Sequence, residues 1–248
     1  RLHNASFYQG PLYDMHFHMP ILPDYGADEK PQPADERIPY LAIDLTIDDL
    51  ACLYKYEGTD RVLAFFSVFP PVYKHHVELA YRAVERYPGI FIPSISPPDY
   101  ENATVNAEFL QRMLDVRPGL FKGFGEIGLH PTPYFPAGMP PDDGMLLNIY
   151  PVLREHRLNP YFHLNQGHAQ AFERVLSANP DITFIFHGDN LVRWSLNNTE
   201  DYSQIWNILA NHSNVMYGVD ELYGDIGIRK GWTKETFLAH LADRKEIL

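Results

Sequence analysis

In the stretch LYDMHFHMP (residues 12–20), Asp14, His16 and His18 occupy every second position of a short apolar run. Alternate side chains of an extended strand share a face, so these three are expected to line up opposite Tyr13, Met15 and Phe17. Such a row of titratable groups on a half-buried strand costs free energy unless something compensates. A metal ion is the natural compensation, but one strand cannot supply a whole coordination shell. Further donors occur in KGFGEIGLH (Glu126), YFHLN (His163) and FIFHGD (His187). Imidazole and carboxylate are the donors that zinc and related divalent ions take, and three protein ligands with one open position make a catalytic site. An ion held in that way activates water near neutral pH. A lone buried histidine is ordinarily satisfied by a hydrogen bond. The metal reading rests on the combination of His16, His18, Glu126, His163 and His187. Asp14 is expected to orient a ligand histidine or to satisfy a backbone group. Lys122 is expected on the same inward face as Phe124 and Glu126, four residues deeper, paired with a carboxylate on the barrel floor. A carbamylated Lys122 bridging two metals is the sharper alternative, but Glu126 is better placed.

The elements that must position these groups alternate regularly. Residues 19–40, rich in Pro and charge, read as a long loop after the first strand. Thr46 with Asp49 three residues on, followed by apolar spacings of three and four, predicts a helix over 46–58. The near-continuous apolar run 61–71 predicts a strand buried on both faces. The pattern continues with helix 74–87, strand 90–95, helix 104–115, strand 120–129, helix 143–157, strand 160–165 and helix 169–178. Strand 182–188, helix 202–210, strand 214–219 and helix 233–248 complete it. Repeated βα alternation with apolar strands predicts a parallel sheet covered by helices. Seven strands are counted, one short of a (β/α)8 TIM-type barrel, so the chain reads as a single barrel domain over 1–248 with its eighth strand expected beyond Leu248. A doubly wound open sheet is the competing architecture, but its Gly-rich phosphate loop after the first strand is missing, and HFHMP stands there. In a barrel, chemistry belongs at the carboxyl ends of the strands, which is where four of the twelve histidines fall.

Composition narrows the classes. A chain of 248 residues with 45% hydrophobic and 21% charged residues can build a substantial core. Its net charge of −12 argues against sequence-independent binding to nucleic acid. The single cysteine, Cys52, leaves no disulfide framework or cysteine-based zinc site, and it is expected as a small buried apolar residue. No run reaches the ~20 apolar residues of a membrane span. The compartment is left open, with the cytoplasm as the default expectation, and homo-oligomers remain allowed.

Taken in order, DMHFH, GEIGLH, YFHLN and FIFHGD resemble the amidohydrolase superfamily of metal-dependent hydrolases. GFGEIGLHP, the long loop after the first strand, and SNVMYGV followed by FLAHLADRKEIL look most like the branch holding lactone hydrolases and metal-dependent decarboxylases. The TatD-like nucleases also carry a Glu in GEIGL, but continue with Asp where this chain has His130. The resemblance implies a (β/α)8 barrel holding one or two divalent ions, zinc first and manganese or iron as alternatives. It implies attack of water on an ester, lactone or amide bond of a small organic substrate. Decarboxylation on the same site, or a non-catalytic barrel keeping its shape, are the alternatives. His16, His18, Glu126 and His163 would be ligands, with Glu126 bridging if there are two ions. His187 would bind a second ion or orient water. The family closes its site with an Asp at the end of strand eight. Asp220 resembles it in MYGVDE, but by strand count it ends the seventh strand. By position, His168, Arg193 and Trp194 fall on loops over the mouth, where ordinary loop polarity is the first expectation and contact with substrate the alternative.

Overall fold

A computed structural model of the chain describes residues 10–19, 38–40, 43–68, 73–97, 105–129, 131, 136, 138–165, 167–187 and 200–218. Its strands are β1 (Tyr13–His18), β2 (Ile38–Tyr40), β3 (Ile43–Leu45), β4 (Arg61–Phe66), β5 (Phe91–Ile95), β6 (Gly123–Gly128), β7 (Asn159–His163), β8 (Phe184–His187) and β9 (Val215–Gly218). The helices are α1 (Ile47–Glu57), α2 (Tyr73–Arg86), α3 (Ala107–Val116), α4 (Gly144–His156), α5 (Ala169–Ala178) and α6 (Glu200–Asn211). The short antiparallel pair β2–β3 lies where the sequence reading placed the end of a loop and the residues just after it. The expected helix 233–248 lies outside the described residues.

The helices form where their ends are chemically marked. The Thr46 side chain accepts from the Asp49 N–H and the Asp49 carboxylate accepts from the Thr46 N–H, a reciprocal cap at the start of α1. Asn106 and Asp143 cap α3 and α4 more simply, their side chains accepting the Phe109 and Met145 N–H groups. In α1 the buried positions are Ile47, Leu50, Ala51 and Tyr54, a stripe of helical period. Cys52 sits off that stripe and is exposed, so it is not the buried apolar residue expected from its type.

Seven strands pair in the order β1-β4-β5-β6-β7-β8-β9, every pair parallel. Apart from the β2–β3 excursion this is chain order, which rules out a doubly wound sheet, whose strand order reverses at a switch point. The sheet also curls. His16 on β1 and His187 on β8 have ring centroids 4.4 Å apart although five strand positions separate them; in a flat sheet that separation is roughly 24 Å. Phe65 on β4 meets Tyr161 on β7 at 5.0 Å across the same interior. The sheet therefore has an inner face, where Leu63, Phe65, Tyr161 and Ile185 pack with Met15 and Ile92. Its outer face carries the larger core, with Val62, Ala64, Phe66, Phe124, Ile127, Phe162 and Phe186 buried beneath the helices. Among the described residues β1 and β9 are the two edges. The architecture is the seven-strand portion of a TIM-type barrel.

Candidate metal centre

Five of the expected groups meet at the carboxyl ends of the strands. His18, His163 and His187 are the last residues of β1, β7 and β8, while His16 and Glu126 stand two residues before the ends of β1 and β6. Glu126 is the hub. Its Oε2 lies 3.0 Å from His18 Nε2 and 3.4 Å from His16 Nε2. Its Oε1 lies 2.7 Å from His163 Nδ1 and 3.5 Å from His187 Nε2. The His16 and His18 Nε2 atoms are 2.9 Å apart. His163 and His187 stack face to face, with centroids 4.3 Å apart and planes at 5°. Donor atoms of His16, Glu126 and His187 all lie within 4.8 Å of one another. The His18 side chain is half exposed whereas that of Glu126 is 11% exposed, so the group opens at its His18 edge.

Two bulges create this arrangement, and both correct the simple alternation. Asp14 aligns with Val62 and Phe17 with Ala64, so β1 takes three steps where β4 takes two. Asp14 and Phe17 are thereby registered with the outward residues of β4, while Met15 packs into the barrel interior and His16 contacts Phe65 and Tyr161 there. Asp14 does not line up with the histidines. Its Oδ1 accepts the His16 backbone N–H at 2.9 Å, satisfying a donor at the bulge. In β6 the register slips between Phe124, opposite Pro160, and Ile127, opposite Phe162. Phe124 is buried in the outer core, so strict alternation would have turned Glu126 outward too. The extra residue in the bulge turns Glu126 to the inside.

Gly125 makes the second bulge feasible. Its φ is +132°, and a Cβ there would lie 2.3 Å from the Tyr161 carbonyl oxygen, a distance no side chain tolerates. Ser94, fully buried on β5, donates its hydroxyl to the Gly125 carbonyl at 3.0 Å. Lys122 takes no part. It is exposed, it precedes β6, and its Nζ donates to the Gly119 carbonyl at 2.7 Å rather than to a carboxylate.

The electrostatics of the cluster are internally opposed. Burial pushes the His16 pKa down to about 4, and the neighbouring His187, His18 and His163 push the same way against the attraction of Glu126. Burial alone would raise the Glu126 carboxyl. Hydrogen bonds from His163 and His18 and the charges of His187 and His163 outweigh it and hold the carboxyl well below the usual carboxylate range. The carboxylate thus demands positive charge that His16 resists carrying as a proton. A divalent cation would supply that charge and leave the imidazoles neutral, the form in which they coordinate. The donor set fits such an ion.

His168 is the residue that precedes α5. It is buried at the start of α5, where its carbonyl accepts the Phe172 N–H. His130, Arg193, Trp194 and Asp220 lie outside the described residues. Sequence reasoning passed over Tyr161, whose hydroxyl is 3.2 Å from His16 Nδ1. The signal was available, because Tyr161 precedes His163 by two residues on β7 and so shares its face.

No family model and no characterised protein matches the chain by sequence. Comparison of structures does find matches. An amidohydrolase from Burkholderia multivorans with bound zinc shares 13% identity over 96% of this chain and 79% of its own, with a TM-score of 0.61. A probable 2-pyrone-4,6-dicarboxylic acid hydrolase from Acinetobacter baumannii, with citric acid bound, shares 10% identity over 90% and 80%, with a TM-score of 0.51. A 4-oxalomesaconate hydratase from Rhodopseudomonas palustris shares 16% over 83% and 73%, with a TM-score of 0.50. The chain has the fold of the amidohydrolase structures.

Proposed function

We propose that this chain is a metal-dependent hydrolase of the amidohydrolase type, acting on an ester, lactone or amide bond of a small organic molecule. The convergence of four imidazoles on one largely enclosed carboxylate at the carboxyl ends of barrel strands carries the reading. His16, His18, Glu126 and His163 are the groups that would hold one or two divalent ions, with zinc the first expectation and His187 either binding a second ion or acting on the water. Each Glu126 oxygen faces a different histidine pair, which supports Glu126 as the group common to both halves of the site. When bound, such an ion supplies Lewis-acid activation of water and polarisation of the scissile carbonyl.

The protein's own groups do the rest. Asp14 and the β1 bulge fix the backbone that presents His16. Ser94 and Gly125 hold the β6 bulge that turns Glu126 inward. His187, 5% exposed and stacked on His163, is oriented to accept a proton from an attacking water or to hold that water by a hydrogen bond. The test is product analysis with metal-loaded protein and a panel of lactones, esters and aromatic acids. Ring-opened or cleaved acids that appear only with metal support the proposal. Carbon dioxide release without hydrolysis would replace it with decarboxylation. No turnover of any class, with no retained metal, would refute it.

A further inference from the structure

Beneath the five groups lies Tyr161, fully buried among Phe65, Leu63 and Ile185. Its ring meets His16 edge-on at 5.5 Å and His187 at 5.9 Å, and its hydroxyl is 3.2 Å from His16 Nδ1. The other nitrogen of His16, Nε2, faces His18 and Glu126. On β9 a Cβ at Gly218 would come within 2.9 Å of the same hydroxyl, so residue 218 must be small for the phenol to reach across the interior.

We infer that Tyr161 is the positioning residue for His16: its hydroxyl accepts a hydrogen bond from Nδ1–H, fixing the tautomer whose Nε2 lone pair points at Glu126. The inference rests on the proposed metal-binding role of His16 and names what prepares that residue for it. A neutral imidazole carries one proton, and whichever nitrogen holds it cannot donate electrons to a cation. Of the two nitrogens, Nε2 faces the carboxylate and Nδ1 faces the phenol. With the proton on Nδ1, the Tyr161 oxygen accepts it and Nε2 is ready to coordinate. With the proton on Nε2, that nitrogen would donate to Glu126 or His18 and be blocked. The barrel interior leaves His16 little freedom to turn, since Phe65 meets it edge-on at 5.2 Å and His187 at 4.4 Å. Gly218 completes the device by leaving the hydroxyl its room.

Three variants and two readouts test this. Tyr161→Phe removes only the hydroxyl and keeps the ring that fills the core. It should weaken zinc binding, measured by competition with a chromophoric chelator, by about 10–100-fold, with the circular dichroism of the metal-free protein unchanged. Gly218→Ala pushes on the hydroxyl and should weaken binding in the same direction. Combined with Tyr161→Phe it should add little, because the atom it collides with is gone. In the zinc-loaded protein, long-range proton–nitrogen NMR should show His16 protonated on Nδ1 and coordinating through Nε2 in the wild type, with the Nδ1–H resonance shifted or exchange-broadened in Tyr161→Phe. Equal zinc affinity in wild type and Tyr161→Phe, or zinc held through His16 Nδ1 in the wild type, would overturn the inference. A wild-type chain that binds no zinc would instead refute the proposed function, and the inference with it.

Discussion

Replacing Gly125 by alanine should damage both stability and the site, because this glycine permits the bulge that turns Glu126 inward. The cost has two parts. A φ of +132° is a conformation that non-glycine residues hold at about 1–3 kcal/mol. The added Cβ would also stand 2.3 Å from the Tyr161 carbonyl oxygen and 2.9 Å from the Tyr161 Cβ. The nearer contact is to backbone, so no rotamer change relieves it and β6 must move away from β7. Overpacking of that kind costs about 1–3 kcal/mol. The total is about 2–6 kcal/mol, with each kcal/mol lowering Tm by about 2–4 °C in a chain of this size. Gly119→Ala provides the comparison. Its φ of +79° is also positive, but nothing lies within 4 Å of the added Cβ, so it bears only the conformational part, about 1–2 kcal/mol. Thermal unfolding of the two variants separates strain from overlap, and zinc titration follows the displacement of Glu126. Gly125→Ala should melt well below Gly119→Ala and bind zinc at least about tenfold more weakly than wild type. Equal melting of the two variants, with wild-type zinc affinity in Gly125→Ala, would refute the account of the bulge.

Three further outcomes are expected. His16→Ala and His163→Ala should each abolish metal-dependent turnover while the far-ultraviolet circular dichroism stays that of wild type; unchanged turnover in either removes that residue from the site. Ser94→Ala leaves the buried Gly125 carbonyl without its hydroxyl donor, so it should destabilise by about 1–3 kcal/mol and lower zinc affinity through Glu126, read by denaturant unfolding and titration together. Thr46→Ala removes the reciprocal cap of α1 and should cost about 0.5–2 kcal/mol without altering metal binding, since α1 contributes nothing to the cluster.

The sequence carried the alternation of strands and helices because both periods are written in the placement of apolar residues, and the described elements follow it closely. It also carried the five groups, since strand ends are where a barrel gathers side chains from distant positions. It did not carry the faces. Inserting one residue into a strand reverses the side of everything beyond it, and the insertion before His16 bears no mark in residue type. The insertion before Glu126 was marked only by Gly125, whose meaning depends on how closely β7 approaches. Asp14, Phe124 and Lys122 were therefore assigned to the wrong side, while Glu126 was assigned to the right side by a rule that the strand itself breaks. Cys52 was legible and was misread, because its phase in α1 falls off the stripe of Ile47, Leu50, Ala51 and Tyr54. The β2–β3 pair was illegible for a simpler reason, as strands of three residues are too short to show a period.

The central claim is that Glu126 gathers four histidines into a site for a divalent cation. The most direct test is the zinc content of the chain after equilibrium dialysis, measured side by side for wild type and Glu126→Gln. The substitution keeps the shape of the side chain and removes its charge. Wild-type protein should retain one or two zinc ions per chain, and Glu126→Gln should retain none at the same free concentration. Equal zinc in both proteins, or none in the wild type, would contradict the account.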